Sequence, residues 1–209
     1  MTARDPDSYY EDMAPVWSRS YPSTTSLPEY DEYYRSMGVD RSVSSLVADL
    51  MALVPVRRGR LLDFGCDNGV MLNFFRDYDL ALFGVDINRQ SIERGRTLYP
   101  DFDLRTSTGL EIPFEDDFFD VVLAAAVLKH IRPADRGALY DEFQRVSSHL
   151  LVFEEVRPGP CEEKMGDFTF YHADFGKELA ARFHPVHAVG EGSYLFGVYR
   201  TSAPTEPHP

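Results

Sequence analysis

The sequence is poor in cysteine and in positive charge. Its 209 residues include two cysteines, Cys66 and Cys161, which are too few for a disulfide framework or a zinc site. We therefore expect reduced thiols and no metal centre. Asp and Glu number 34 and Lys and Arg 21, so the formal net charge is −13. Because proteins bind nucleic-acid phosphates through clustered Lys and Arg, this balance argues against a nucleic-acid partner.

Long hydrophobic runs are absent as well. The longest spans residues 121–128, well short of the roughly 18 residues that a membrane-spanning helix needs. Residues 1–6 do not open an apolar segment typical of a signal peptide. We therefore expect a cytoplasmic protein that has no membrane partner. The length is sufficient for one domain with a full hydrophobic core.

Apolar runs alternate with helical patterns along most of the chain. Strands are predicted at 60–65, 80–85, 102–105, 119–126 and 150–154, and helices at 39–54, 70–78, 89–98, 133–147 and 173–182. Strands separated by helices pair in parallel through right-handed crossovers. Two final strands, near 186–189 and 194–199, lie close enough in sequence to form an antiparallel hairpin.

These elements predict an α/β fold with a single doubly wound, Rossmann-like sheet of seven mostly parallel strands. The sheet is expected to end in an antiparallel hairpin strand. Residues 1–37 are rich in aromatic side chains and are assigned to a short helical N-terminal cap. Residues 38–201 are assigned to the core, and residues 202–209 to a disordered tail.

The most informative segment is 61–72, with the sequence LLDFGCDNGVML. It is typical of a buried strand, a tight glycine turn and the start of a helix, where backbone N–H groups bind a ligand. Asp86 ends the next predicted strand, and in doubly wound folds an acid at that position binds ribose hydroxyls. The alternatives are a purely structural turn and a helix-capping role for Asp86. We predict an adenosine-like ligand.

Several segments resemble class I S-adenosylmethionine-dependent methyltransferases. Residues 63–69 (DFGCDNG) resemble the family's acid-x-Gly-x-Gly-x-Gly signature, and Asp86 its ribose-binding acid. Residues 112–122 (IPFEDDFFDVV) resemble its "LPF…FD-V-V" segment, and residues 127–131 (VLKHI) its "V-L-x-H" segment. Residues 10–17 (YEDMAPVW) are similar to an N-terminal motif that closes over the cofactor.

The resemblance implies methyl transfer from S-adenosylmethionine to an O, N or C atom of a small-molecule acceptor, with S-adenosylhomocysteine as the product. A monomer or homodimer is expected. The residues implied in cofactor binding are Tyr10, Trp17, Asp63, Gly65, Cys66, Gly69, Asp86, Ile87, Thr108, Gly109, Leu110 and Ala125. Two positions depart from the family pattern. Asp67 replaces the middle glycine, and Thr108 stands where many relatives carry an acid that binds the adenine amine.

Two histidines are the candidate catalytic residues. His130 follows a buried strand at its carboxyl end, where open parallel sheets bind ligands, and His172 lies in the long segment after the fifth strand. Packing or hydrogen bonding is the alternative role for both. Two other functions stay open. One is a protein of this fold that binds the cofactor without methylating. The other is an NAD-dependent oxidoreductase, which the glycine spacing disfavours.

Overall fold

The computed structural model describes residues 6–20, 26–107 and 109–201. Within these residues the α-helices are α1 (Pro6–Ser20), α2 (Leu27–Ser36), α3 (Val43–Met51), α4 (Arg89–Leu98), α5 (Arg136–Val146) and α6 (Phe175–Ala180). The strands are β1 (Arg58–Phe64), β2 (Asp79–Asp86), β3 (Asp103–Thr106), β4 (Phe119–Ala125), β5 (Ser147–Glu155), β6 (Cys161–Met165), β7 (Phe168–His172), β8 (His184–Glu191) and β9 (Tyr194–Arg200).

Seven strands form the main sheet, in the order β3-β2-β1-β4-β5-β9-β8. Strands β1 to β5 pair in parallel, whereas β9 runs antiparallel to both β5 and β8. The predicted fold class is therefore confirmed, including the closing hairpin. The predicted cap corresponds to α1 and α2, whereas the predicted tail, 202–209, lies outside the described residues.

The central strands of the sheet are buried on both faces, whereas the edge strand β8 is mostly exposed. Successive residues of β4 alternate between two hydrophobic cores: Val121 and Leu123 belong to one, and Val122 and Ala124 to the other. The first core contains buried residues of α3, and the second contains buried residues of α5 and α6. Strands covered on both sides read as continuous apolar runs, which is why the sequence pattern locates them.

The segment predicted as a helix at 70–78 is a shorter 3-10 helix, Val70–Phe75. Five of its six side chains are buried, and it packs against α2, α3 and β2. A longer α-helix with one solvent-exposed face does not fit this position, because the neighbouring elements cover most of the segment's surface. The tighter helix returns the chain to β2 within a few residues.

The sequence prediction missed a second, two-stranded sheet. Strands β6 and β7 pair antiparallel after β5, in a region where no strand was predicted. In β7 burial alternates along the strand, with Phe168, Phe170 and His172 buried. That alternation was the available signal, because side chains of a strand point to opposite faces in turn.

Candidate functional site

A cavity of about 430 Å³ opens where β1, β2 and β4 end. Its wall includes Gly65, which directly follows β1, Asp86, which ends β2, and Ala125, which ends β4. Ligands of open α/β sheets bind in this crevice at the carboxyl ends of the strands. The volume lies within the range of cavities that hold small-molecule ligands.

The glycine loop between β1 and the 3-10 helix takes its shape from three left-handed residues. Gly65 has a φ of 78°, Asp67 of 49° and Gly69 of 80°. A Cβ atom at Gly65 would lie 2.5 Å from Val127 Cγ2, so only glycine fits. Asp67 adopts the left-handed conformation that a glycine normally supplies, which Asp tolerates better than most residues. The departure from the family signature therefore leaves the turn formed.

Two further glycines let neighbouring elements approach this loop. A Cβ atom at Gly84, on β2, would lie 2.6 Å from Cys66 Sγ. One at Gly95, on α4, would lie 2.5 Å from the carbonyl oxygen of Asn68. The loop is therefore packed against β2 and α4 by backbone contacts that a side chain would block. Sequence analysis did not single out either glycine.

Asp86 connects the glycine loop to the turn after β2. Its Oδ2 accepts the Asp67 N–H at 2.8 Å, and its Oδ1 accepts the Asn88 N–H at 2.7 Å. Burial raises the pKa of Asp86 to about 6, against the lowering effect of these hydrogen bonds. Asn88 is the residue that caps α4, through the N–H groups of Gln90 and Ser91. The alternative reading of Asp86 as the helix cap is therefore not what the structure shows.

Asp63 lies beneath the glycine loop and is 1% exposed. Burial, together with the charges of Asp86 and Asp67, raises its pKa to about 8. Its Oδ2 has no hydrogen-bond partner within the described residues. A buried carboxyl group without a partner is costly unless a ligand completes it. An acidic cluster of this kind fits a ligand that carries positive charge, such as the ammonium and sulfonium groups of S-adenosylmethionine.

The N-terminal helices contribute aromatic side chains to the cavity wall. Tyr10 and Trp17 line it from α1, and Tyr30, Tyr33 and Tyr34 line it from α2. The Tyr10 hydroxyl donates to Asp135 Oδ2 at 2.9 Å and accepts the Arg132 N–H at 3.1 Å. These two hydrogen bonds attach α1 to the segment between β4 and α5.

The chain after β4 supplies two polar residues to the same cavity. Ala126 turns the chain with a φ of 53°, and Lys129 and His130 follow in a short 3-10 turn, Leu128–His130. Burial, and then the charge of Lys129, lowers the pKa of His130 to about 3. His130 is therefore neutral at pH 7. Its ring centroid lies 5.5 Å from that of Trp17.

The predicted site residues are distributed as follows. Those that line the cavity are Tyr10, Trp17, Gly65, Asp86, Ile87, Gly109, Leu110, Ala125 and His130. Those that do not line it are Asp63, Cys66, Gly69 and His172. Thr108 lies outside the described residues. His172 is buried behind the cavity wall, with its Nε2 3.1 Å from Glu163 Oε2.

Sequence analysis did not assign some residues of the cavity wall to the site. They are Tyr30, Tyr33, Tyr34, Asp67, Asn88, Ser107 and Lys129. The three tyrosines belong to the predicted N-terminal cap, and their helix carries no motif that would separate packing residues from site residues. Lys129 occupies the variable position of the "V-L-x-H" segment, so that segment gave it no role.

Comparisons with known proteins agree with this geometry. A family profile described as "Methyltransferase domain" matches residues 62–149. The 27-O-demethylrifamycin SV methyltransferase of Amycolatopsis mediterranei is 30% identical over 165 residues, which cover 75% of this chain and 56% of that protein. A probable S-adenosylmethionine-dependent methyltransferase of Mycolicibacterium smegmatis is 29% identical over 99 residues, or 47% of this chain and 34% of that protein. This chain therefore spans about half or less of these two relatives.

Solved structures share the fold at low identity. The 1,6-didemethyltoxoflavin-N1-methyltransferase of Burkholderia thailandensis has a TM-score of 0.71 and 16% identity, covering 97% of this chain and 93% of that one. A protein of Pyrococcus horikoshii has a TM-score of 0.68 and 19% identity, covering 90% and 99%. The profile match and the 30% identical relative support assignment of the chain to the class I S-adenosylmethionine-dependent methyltransferases, whose cofactor is S-adenosylmethionine, and the solved structures show that it shares their fold.

Proposed function

We propose that this chain transfers the methyl group of S-adenosylmethionine to an O, N or C atom of a small-molecule acceptor, a metabolite or natural product. The observation that carries the proposal is one cavity whose wall includes Asp86, the glycine loop and aromatic residues of the cap. The acidic groups suit a cationic cofactor, and the aromatic groups suit an apolar acceptor.

The names of several relatives support a small acceptor. They include the rifamycin enzyme and a demethylmenaquinone methyltransferase of Renibacterium salmoninarum, which is 28% identical over 106 residues. A yeast tRNA (carboxymethyluridine(34)-5-O)-methyltransferase also matches, at 31% identity over 75 residues. The net charge of −13 argues against an RNA acceptor for this chain. We place the protein in the cytoplasm, as the composition predicts.

In this proposal, different residues in and around the cavity bind different parts of the cofactor. Asp86 binds the ribose hydroxyls with the lone pairs that its two backbone hydrogen bonds leave available. Ile87, Gly109 and Leu110 enclose the adenine, and Thr108 stays a predicted cofactor-binding residue. Gly65, Cys66 and Gly69 shape the loop next to the methionine part of the cofactor. The Oδ2 atom of Asp63, which has no other hydrogen-bond partner among the described residues, accepts a hydrogen bond from the ammonium group. Tyr10, Trp17 and Ala125 close the site over the reacting centre.

When bound, the cofactor supplies a methyl group that its sulfonium has already activated for in-line attack. The protein then contributes mainly orientation and exclusion of water, which supply about 7–11 kcal/mol in well-positioned reactions. His130 and His172 stay predicted catalytic residues. Because its pKa is lowered to about 3, His130 is a weak base, so it receives a proton efficiently only from an acidic acceptor group.

The proposal is tested by binding and turnover together. Titration calorimetry should show binding of S-adenosylmethionine and S-adenosylhomocysteine, and no binding of NAD. Transfer of a labelled methyl group should then follow with members of a panel of phenols, quinols and heteroaromatic N–H compounds. Binding of NAD in place of the sulfur compounds would support an oxidoreductase instead. Tight binding of both sulfur compounds without any turnover would favour a protein that binds the cofactor without methylating.

A further inference from the structure

The cavity contains a buried cation to which the proposed methyl transfer assigns no role. Lys129 is 4% exposed and lines the cavity. Burying a lysine is costly, so such a residue is expected either to complete a structural ion pair or to meet a ligand. The contacts of its ammonium group decide between these two roles.

The ion pair of Lys129 leaves donor capacity unused. Its Nζ donates to Glu155 Oε2 at 3.2 Å, and this is its one hydrogen bond within the described part of the chain. An ammonium group has three N–H donors. The other oxygen of Glu155 accepts a hydrogen bond from Arg157 Nη2 at 3.0 Å. Arg157 also pairs with Glu163 at 3.3 Å. The two remaining N–H donors of Lys129 have no hydrogen-bond partner among the described residues.

A hydrogen bond to Glu154 fixes the turn that carries Lys129. Glu154, which is fully buried, accepts the Leu128 N–H with its Oε2 at 2.6 Å. This hydrogen bond holds the first residue of the turn that carries Lys129. Burial opposes the charge of Lys129, but the nearby Glu154 and Glu155 outweigh that effect and keep its pKa above the usual value. The ammonium is therefore preorganised and charged at neutral pH.

Lys129 lies on the acceptor side of the cavity. It contacts Glu155 at the end of β5, whereas Asp86 ends β2, and β1 and β4 lie between those strands. With about 4.8 Å between neighbouring strands, the two strand ends are separated by roughly 14 Å. The cavity thus has carboxyl groups where the cofactor's cationic groups are proposed to bind, and at its other end the ammonium group of Lys129, paired with Glu155.

We propose that Lys129 binds a negatively charged oxygen of the acceptor, and that the acceptor is a flat aromatic or conjugated molecule that carries a carboxylate or an acidic hydroxyl group. The proposal rests on the proposed function, because it takes the cofactor to occupy the Asp86 side. The cavity walls next to the turn fit such a molecule, since they include Trp17, Tyr33 and the ring of His130. The two unused N–H donors of Lys129 are the groups that bind the oxygen.

The test uses matched pairs of probes that differ in charge but hardly in shape. They are benzoate and benzamide, 1-naphthoate and 1-naphthamide, and salicylate and salicylamide. Each is titrated by calorimetry into the full chain saturated with S-adenosylhomocysteine. The variant Lys129→Met removes the charge and keeps a side chain of similar length. Lys164→Met is the matched control, because Lys164 is an exposed lysine on β6.

In wild type and in the Lys164→Met variant, at least one anion should bind about ten-fold more tightly than its amide, the scale of a charge-assisted hydrogen bond. In Lys129→Met that preference should fall below about two-fold, with unchanged affinity for S-adenosylhomocysteine. If Lys129→Met fails to fold because Glu155 loses its partner, the double variant Lys129→Met with Glu155→Gln removes both charges and should behave in the same way.

Three results would overturn the proposal. The first is a wild type that prefers the anion in none of the pairs, and the second is a preference that persists without the lysine. The third is a ten-fold loss of S-adenosylhomocysteine affinity in Lys129→Met, which would assign the lysine to the cofactor instead. Failure of wild type to bind S-adenosylhomocysteine at all is a different result, because it contradicts the proposed function before any acceptor probe is added.

Discussion

Asp63 shows at the level of one residue how burial and neighbouring acids change the protonation of a carboxyl group. Its carboxyl group is buried and lies close enough to Asp86 and Asp67 for their charges to act on it, so its pKa rises to about 8. An unfolded Asp ionises near pH 3.9. Between these two values the unfolded chain is ionised at this position while the folded chain holds a proton. Stability must therefore fall as the pH rises through this window.

The Asp63→Asn variant should remove that dependence. Asn has a similar shape and does not ionise, so the variant should lose stability less steeply than wild type between about pH 4 and pH 8, by up to about 1.4 kcal/mol per pH unit. Urea unfolding at a series of pH values measures the difference. The two proteins share every other titrating group, so parallel curves would contradict the raised pKa of Asp63.

Asp86 has two roles, which predict two effects of its loss. Asp86→Ala should weaken binding of S-adenosylhomocysteine by about 1–3 kcal/mol, the scale of hydrogen bonds to a charged group. It should also lower the free energy of unfolding, because the N–H groups of Asp67 and Asn88 lose their acceptor. Calorimetry and urea unfolding measure the two effects.

The matched control for Asp86 lies at the other end of the same strand. Asp79 begins β2 and pairs with Arg58 at 2.8 Å, and both side chains are mostly exposed. Exposed ion pairs contribute about 0–1 kcal/mol. Asp79→Ala should therefore leave ligand binding unchanged. An equal loss of affinity in the two variants would show that Asp86 does not bind the ligand directly.

At the level of elements, the glycine loop depends on a conformation and a space that other residues do not tolerate. Gly65→Ala should destabilise the protein by about 1–3 kcal/mol for the left-handed backbone alone, with a further cost from the contact with Val127. Gly137→Ala is the control, because Gly137 lies in α5 and a Cβ atom there would meet no neighbour within 4 Å. That change should stabilise the helix by about 0.5–1 kcal/mol. Thermal unfolding should move in opposite directions for the two variants.

The sequence predicted those parts of the fold whose residue pattern lies within one element, such as an apolar run or a loop motif. Buried strands such as β4 read as apolar runs, and the loop at 65–69 has its own motif. What escaped prediction depends on contacts between distant residues. The β6–β7 sheet forms only through pairing of two short strands, and Gly84 and Gly95 are recognisable only when the loop that they face is in place. The sequence assigns Lys129 no role, because its burial beside Glu155 depends on the end of a different strand.

At the level of the whole molecule, the cap, the loop and the sheet are linked by the cavity that they share. A ligand that fills it contacts α1, β1, β2 and the segment after β4 at once, so binding should stabilise the complete fold. No described helix is long and apolar enough to cross a lipid bilayer.

S-Adenosylhomocysteine should accordingly raise the Tm. At a concentration about 100 times its Kd, a ligand that binds only the folded state adds about 2.7 kcal/mol. For a chain of this size that corresponds to a rise of roughly 5–10 °C. Scanning calorimetry with NAD as the comparison ligand measures the effect. Equal shifts with the two compounds, or none with either, would contradict selective binding in the cavity.

A crystal structure of the complex with S-adenosylhomocysteine would show directly whether this cavity is the nucleoside site. We expect the ribose hydroxyls against the Asp86 carboxylate, the adenine beside Ile87 and Leu110, and the sulfur facing the aromatic cap. A nucleoside bound elsewhere on the molecule, or bound in the cavity with its ribose turned away from Asp86, would contradict the assignment.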